Sequence, residues 1–136
     1  MVEFDRFPVY CPPVVPVGTT EVDFAGRYVP HTYAMSFRTD SVRPEPHWVV
    51  SGGAARELRR SLANKYDEPR LVDRLTIAGV SVEVYELHYY DLHGGHVLVA
   101  WEHDGAGYLA SVHGFEHRKL AEGIAEGLIR EMSGVG

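Results

Sequence analysis

Residues 71–113 read LVDRLTIAGVSVEVYELHYYDLHGGHVLVAWEHDGAGYLASVH, and this stretch decides the fold. Leu71–Ile77 and Val80–Tyr90 flank the pair Ala78-Gly79, the pattern of a β-hairpin. Asp91-Leu92-His93-Gly94-Gly95 forms a second turn before the strand His96–Glu102. Asp104-Gly105-Ala106-Gly107 forms a third before the strand Tyr108–His113. The reading is a four-strand antiparallel meander. With turns centred near His93 and Gly105, one face carries Tyr85, Leu87, Tyr89, Val97, Val99, Trp101 and Leu109. The other carries Val82, Val84, Leu98, Ala100, Ala110 and Val112, with Glu86, His88, Glu102 and Tyr108 among them. Because side chains alternate along a strand, a slip of one residue exchanges these sets. Both faces are apolar, so both need cover.

Downstream, Leu120, Ile124 and Leu128 recur every four residues with Ala121, Ala125 and Met132 beside them, which predicts a C-terminal helix over about 115–132. Gly123 and Gly127 lie one turn apart on it and suggest close approach to the sheet at Ala100 and Ala110. Upstream, the first 50 residues hold seven of the eight prolines, so short strand pieces separated by turns are expected there. Those pieces are Phe7–Tyr10, Val22–Phe24, Tyr33–Phe37 and His47–Val50. Ser51 reads as an N-cap for a middle helix over about 53–66, with Ala55, Leu58, Leu62 and Tyr66 on its apolar side. Asp67-Glu68-Pro69 ends it. Arg56, Arg59, Arg60 and Lys65 read as its solvated face. The C-terminal helix is expected to cover one sheet face. The N-terminal strands and the middle helix, or a second subunit, are expected to cover the other. The fold class is α+β, mostly antiparallel β-sheet, in a single domain over residues 1–136.

Composition narrows function. At 136 residues with 45% hydrophobic and 24% charged side chains, the chain has the balance of one globular domain. No apolar run approaches the roughly 20 residues that span a bilayer, so no membrane association is expected. The opening Met-Val-Glu-Phe-Asp carries neither the basic region nor the apolar core of a leader. Nineteen acidic against 13 basic residues give a net charge of −6, which argues against nucleic acid as a partner. A single cysteine, Cys11, fits a reducing, cytoplasmic setting. Neither a dinucleotide nor a nucleoside-triphosphate loop is present, and Ser111 is not in a nucleophile elbow, so no cofactor is expected.

Two groups of residues carry chemistry. Glu86, His88, Glu102 and Tyr108 share one face among apolar neighbours in this register. A carboxylate desolvated there would hold its proton more tightly, as a general acid requires. Among the eight histidines, His93 and His96 face each other across Gly-Gly, with His88 or Asp91 as a third ligand for zinc or nickel. Solvated turn histidines are the plainer reading, so no stoichiometric metal is expected. Tyr85, Tyr89 and Trp101 concentrate aromatic area on adjacent strands, as core or as an interface.

From Gly95 the chain reads Gly-His-Val-Leu-Val-Ala-Trp101, then Gly105, Gly107-Tyr108, Val112-His-Gly-Phe115, Leu120 and Ala125. This segment resembles the closing part of the small α+β domains attached to bacterial transmembrane anti-sigma factors and some lipoproteins. The resemblance spans about a quarter of the chain and implies a strand–turn–strand–helix fold with a sensory or regulatory role and no catalytic residue. The chain departs from those proteins in lacking a membrane span, a sigma-binding helical domain and the zinc-binding His/Cys motif of that domain. The expected function is a non-catalytic binding or regulatory module, using the aromatic sheet face for a protein partner or for a homodimer. The alternative is a small enzyme or metal-binding protein built on Glu86, His88, Glu102 and Tyr108.

Overall fold

A computed structural model describes residues 2–4, 7–13, 15–27, 31–40, 47–65, 69–88 and 95–134. Its elements are β1 (Val2–Phe4), β2 (Phe7–Val9), β3 (Thr19–Arg27), β4 (Thr32–Thr39), β5 (His47–Gly53), α1 (Ala55–Lys65), β6 (Arg70–Ile77), β7 (Val80–His88), β8 (Gly95–His103), β9 (Ala106–His113) and α2 (Arg118–Met132). A single 3-10 turn, Phe115–His117, leads into α2. The class is α+β, as the residue pattern indicates. Strands β1 and β2 form a small hairpin, and the other seven form one antiparallel sheet in the order β3-β4-β5-β9-β8-β7-β6.

The meander β6-β7-β8-β9 is present, with two tight turns. Ala78 and Gly79 both have positive φ, at 48° and 83°, and so do Asp104 and Gly105, at 48° and 80°. Two successive positive-φ residues make a two-residue hairpin turn whose twist matches the flanking strands. The third turn is therefore Asp104-Gly105 alone, and β9 begins at Ala106, with His103 paired to Ala106.

That shortening corrects the register. A turn centred between residues 104 and 105 pairs Trp101 with Tyr108, whereas a centre on Gly105 would pair it with Leu109. The β7–β8 pairing, Glu83 with Ala100 and Glu86 with Val97, departs from a centre at His93 by an odd number of residues as well. Both shifts turn β8 over relative to its neighbours. One face carries Val82, Val84, Glu86, Val97, Val99, Trp101, Tyr108, Ala110 and Val112; the opposite face carries Tyr85, Leu87, His96, Leu98, Ala100, Glu102, Leu109, Ser111 and His113.

Of the N-terminal strands, β3, β4 and β5 extend the meander, whereas β2 ends at Val9, which with Tyr10 packs on the core at the face that carries Tyr108. Trp48 pairs with Val112 and Val50 with Ala110, so β5 adds to β9 and the sheet continues through β4 to β3. Ser51 consequently belongs to β5 and not to a helix cap, because its backbone is in ladder with both Ala34 and Leu109. Helix α2 covers the first face, and Ala121, Ile124, Ala125, Leu128 and Ile129 join Trp48, Val50, Val84, Val97, Val99 and Trp101 in the main core. The small residues beneath α2 are Ala121, Ala125 and Ala110; Gly123 is exposed with nothing within 4 Å of a Cβ placed on it, and Ala100 lies on the other face. Helix α1 covers part of that second face, where Leu58 packs with Leu87, Leu98 and Leu109. Gly107 lets α1 approach: a Cβ there would lie 2.9 Å from both Ala55 Cα and Cβ.

Gly52 serves a tyrosine cluster in the same way. A Cβ on Gly52 would lie 2.6 Å from Tyr33 Oη and 2.7 Å from Tyr108 Cδ1. The rings of Tyr10 and Tyr108 meet edge-on at 5.8 Å, and the Tyr10 backbone N–H donates to Tyr33 Oη at 3.4 Å. Burial pushes the Tyr33 hydroxyl up to about 12, against a smaller opposing effect of the Tyr10 N–H. Burial also raises Tyr108. In the unfolded chain these phenols ionise near about 10, so above that pH the unfolded state sheds protons that the native state keeps. Stability is expected to fall between about pH 10 and 12, by at most roughly 1.4 kcal/mol per pH unit for each such group. Urea unfolding at stepped pH should show a shallower fall for Tyr33→Phe; an identical slope in the variant would remove tyrosine burial as the cause.

Candidate metal centre

The register correction disperses the residues first read as a site. Glu86 and Tyr108 point to the α2 side, whereas Glu102 points to the α1 side. Glu86 is paired with Arg70, and Glu102 accepts from Arg59 Nη2 at 2.9 Å. The His88 side chain is exposed, with its ring 4.8 Å from that of Phe115. Tyr108 is buried beside Trp101, ring centroids 6.0 Å apart. These four side chains do not converge.

The aromatic interface residues also separate. Trp101 is 5% exposed under α2, where its Nε1–H donates to Met132 Sδ at 3.4 Å, so it is core and not a free surface. Tyr85 lies on the opposite face and donates its hydroxyl hydrogen to Glu83 Oε1 at 3.1 Å. Tyr89, Asp91 and His93 lie outside the described residues.

His96 is the residue that leads to a site. It is the second residue of β8, and it is paired directly with His113, the last residue of β9. His47 opens β5, one step before the Trp48–Val112 pair, which sets it opposite His113 as well. Directly opposed residues of antiparallel strands share a face. The three imidazoles therefore form one row on the α1 side of the sheet, contributed by three adjacent central strands. Their ring centroids stand 4.9 Å (His47–His96), 5.2 Å (His47–His113) and 5.0 Å (His96–His113) apart. The arrangement is close to an equilateral triangle.

One potential ligand nitrogen from each ring lies within 4.8 Å of the other two. His96 and His113 are only 2% and 3% exposed, and His47 is half-buried. His47 Nε2 and His96 Nε2 are 3.1 Å apart. Two nitrogens held tetrahedrally at a Zn–N distance of about 2.0–2.1 Å stand about 3.3–3.4 Å apart, so this pair already matches one edge of a zinc polyhedron.

The surroundings support the same polarity. His96 Nδ1 and Ser111 Oγ are 2.7 Å apart, and Ser111 is the next residue on that face of β9. When His96 Nδ1–H donates to the serine, the Nε2 lone pair is directed at the other two rings, which is the tautomer a metal requires. The backbone also clamps the site, since Gly114 N–H donates to Gly95 O at 2.8 Å beside both buried histidines.

His47 stands alone in its segment, and His113 has only His117 near it in sequence, so no local spacing joins His47, His96 and His113. Only the β5–β9 pairing, across more than sixty residues of chain, brings them together. Comparison of the chain with protein families, with curated proteins and with solved structures returns no match.

Proposed function

We propose that this chain is a binding domain for a divalent transition metal, with zinc the best chemical fit, held by His47, His96 and His113. The sequence led to an expectation of no bound metal, and of its hairpin candidates His93 and His96 this reading uses only His96. The observation that carries it is the triangle of three imidazoles on three adjacent strands, two of them almost fully buried, with donor atoms within 4.8 Å. Imidazole nitrogen suits zinc, copper, nickel and iron, and three neutral nitrogens with a fourth position fit tetrahedral zinc. Leu87 flanks His96 on β7, and Leu98 and Ser111 follow along the same face.

The test is a competitive titration of the purified chain with Zn²⁺ against a chromogenic chelator. One equivalent bound per chain is the expected result. No binding above that of a His47→Ala/His113→Ala double variant would end the proposal. Ser111→Ala should keep the fold and weaken zinc about 10–100-fold, the usual effect of removing a group that orients a ligating histidine. Unchanged affinity would mean that the serine does not set the tautomer.

A second reading, the protein-binding or regulatory module, is favoured by a cleft of about 800 Å³ between α1 and the sheet. Leu58, Tyr85, Leu98 and Leu109 line it, with the Arg59–Glu102 and Arg74–Glu83 ion pairs at its margin. The resemblance to anti-sigma-associated domains supports a regulatory role. A homodimer belongs to this proposal through the sheet edge, since β6 is an outer strand with Leu71 37% exposed. Light scattering at micromolar concentration should return twice the mass of one chain; a monomer mass would remove the dimer. No described helix is long and apolar enough to cross a membrane. The free Cys11 is exposed, which suits a reducing, cytoplasmic setting.

A further inference from the structure

We infer that the cleft between α1 and the sheet binds an uncharged, largely apolar small molecule with an amide-like edge. This is independent of the metal reading, and it gives the cleft a small-molecule occupant in place of a protein. The observation is a break in the sheet. Strands β7 and β8 are paired from His88–Gly95 to Glu83–Ala100 and no further, although both hairpins run on to their turns, with Ile77 paired to Val80 and His103 to Ala106. The tips of the β6–β7 and β8–β9 hairpins therefore part at Val80–Val82 and Trp101–His103, three residues on each side.

The pair that closes a two-residue turn is hydrogen-bonded, and the direction of the peptide groups then alternates along each strand. Val80 and His103 thus bond within their own hairpins, and Glu83 and Ala100 bond each other. The next pair of that ladder, Ser81 with Glu102, is not formed, so each directs one N–H and one C=O into the gap without closing it. The cleft continues into this gap. Ser81 and Glu102 line it, as do Val82 and Trp101 from the α2 face and Leu98 and Leu109 from the α1 face. Its volume of about 800 Å³ is that of a small-molecule site. The charged side chains at its margin are matched with each other, Arg59 with Glu102 at 2.9 Å and Arg74 with Glu83 at 3.2 Å, so among the described lining two cations balance two anions. Apolar walls and the Ser81 and Glu102 peptide groups match an apolar body with a donor next to an acceptor. An inserted peptide strand fits less well, because the gap closes at Glu83–Ala100 after three residues.

The full chain is titrated with N-phenyl-1-naphthylamine, an uncharged probe whose emission rises when it leaves water. Saturable one-to-one binding is the expected result. Octanamide should displace the probe about tenfold better than octanoate, since the amide completes hydrogen bonds in the gap whereas the carboxylate is desolvated without a cation of its own. Ser81→Trp, at an exposed position on the lining, should block the gap and abolish binding with the fold intact. Ala100→Phe, which fills the cleft from its floor, should abolish binding by a second route. Absence of saturable binding, binding retained in either variant, or octanoate displacing the probe as well as octanamide would each overturn the inference.

Discussion

Replacing His96 by alanine is expected to eliminate the stabilisation that zinc confers. A ligand that binds only the native state stabilises it by RT ln(1 + [L]/Kd), about 4 kcal/mol at a free concentration a thousandfold above Kd. For a domain of this length that raises the melting temperature by upwards of about 10 °C. His96 is central to the effect because its Nε2 is 3.1 Å from that of His47, its ring is 5.0 Å from that of His113, and its Nδ1 meets Ser111. Differential scanning calorimetry with and without zinc reads the difference directly. The wild type should shift and His96→Ala should not. His96 is buried, so the variant's own melting point is expected to drop as well. His47→Ala separates the two causes, because its half-buried ring leaves the metal-free fold nearly unchanged. An undiminished zinc shift in both variants would place the metal elsewhere.

Trp101→Ala is expected to cost about 3–5 kcal/mol, the usual range for emptying a buried tryptophan site. Total stability of a small domain is about 5–15 kcal/mol, so the variant should be barely folded or melt well over 10 °C lower. Three contacts are lost at once: the stack on Tyr108 at 6.0 Å, the Nε1–H bond to Met132 Sδ, and the apolar area beneath α2. Trp101→Phe keeps much of that area and should lose considerably less. Trp101 and the histidine triad lie on opposite faces of the sheet, so the zinc affinity of any folded Trp101 variant should match wild type. A Trp101→Ala protein of unchanged stability would contradict the packing of α2 on this face.

Local chemistry made much of the architecture legible. Gly79, Asp104 and Gly105 are residues that accept positive φ, and they stand where the hairpins reverse. The four-residue spacing of Leu120, Ile124 and Leu128 describes α2, and Ile124 and Leu128 are buried as that spacing requires. The middle helix is present as Ala55–Lys65, and its start is later than Ser51 suggested because β5 lies between two strands and draws Ser51 into both ladders. Register was less legible. An apolar–polar alternation is ambiguous when both faces of a strand are buried, and all eight residues of β9 are buried. Counting the Asp104-Gly105 turn too long inverted β8 against β9, and centring the preceding turn on His93 inverted it against β7. The first shift joined Glu102 to Tyr108 and the second joined it to Glu86, where the protein sets Glu102 on the opposite face from both.

Residue order alone determined the α+β class, the C-terminal meander, the two helices and the Ala78-Gly79 turn, because each depends on contacts between near neighbours and on backbone preferences at single positions. Tertiary structure decided the rest. It set the β5–β9 pairing that joins two meanders into one seven-stranded sheet, assigned each helix its face, and placed His47 beside His113 and His96. Those outcomes depend on pairing between strands far apart in the chain, where the gain comes from burying whole faces together. No local spacing records which distant strand that partner will be.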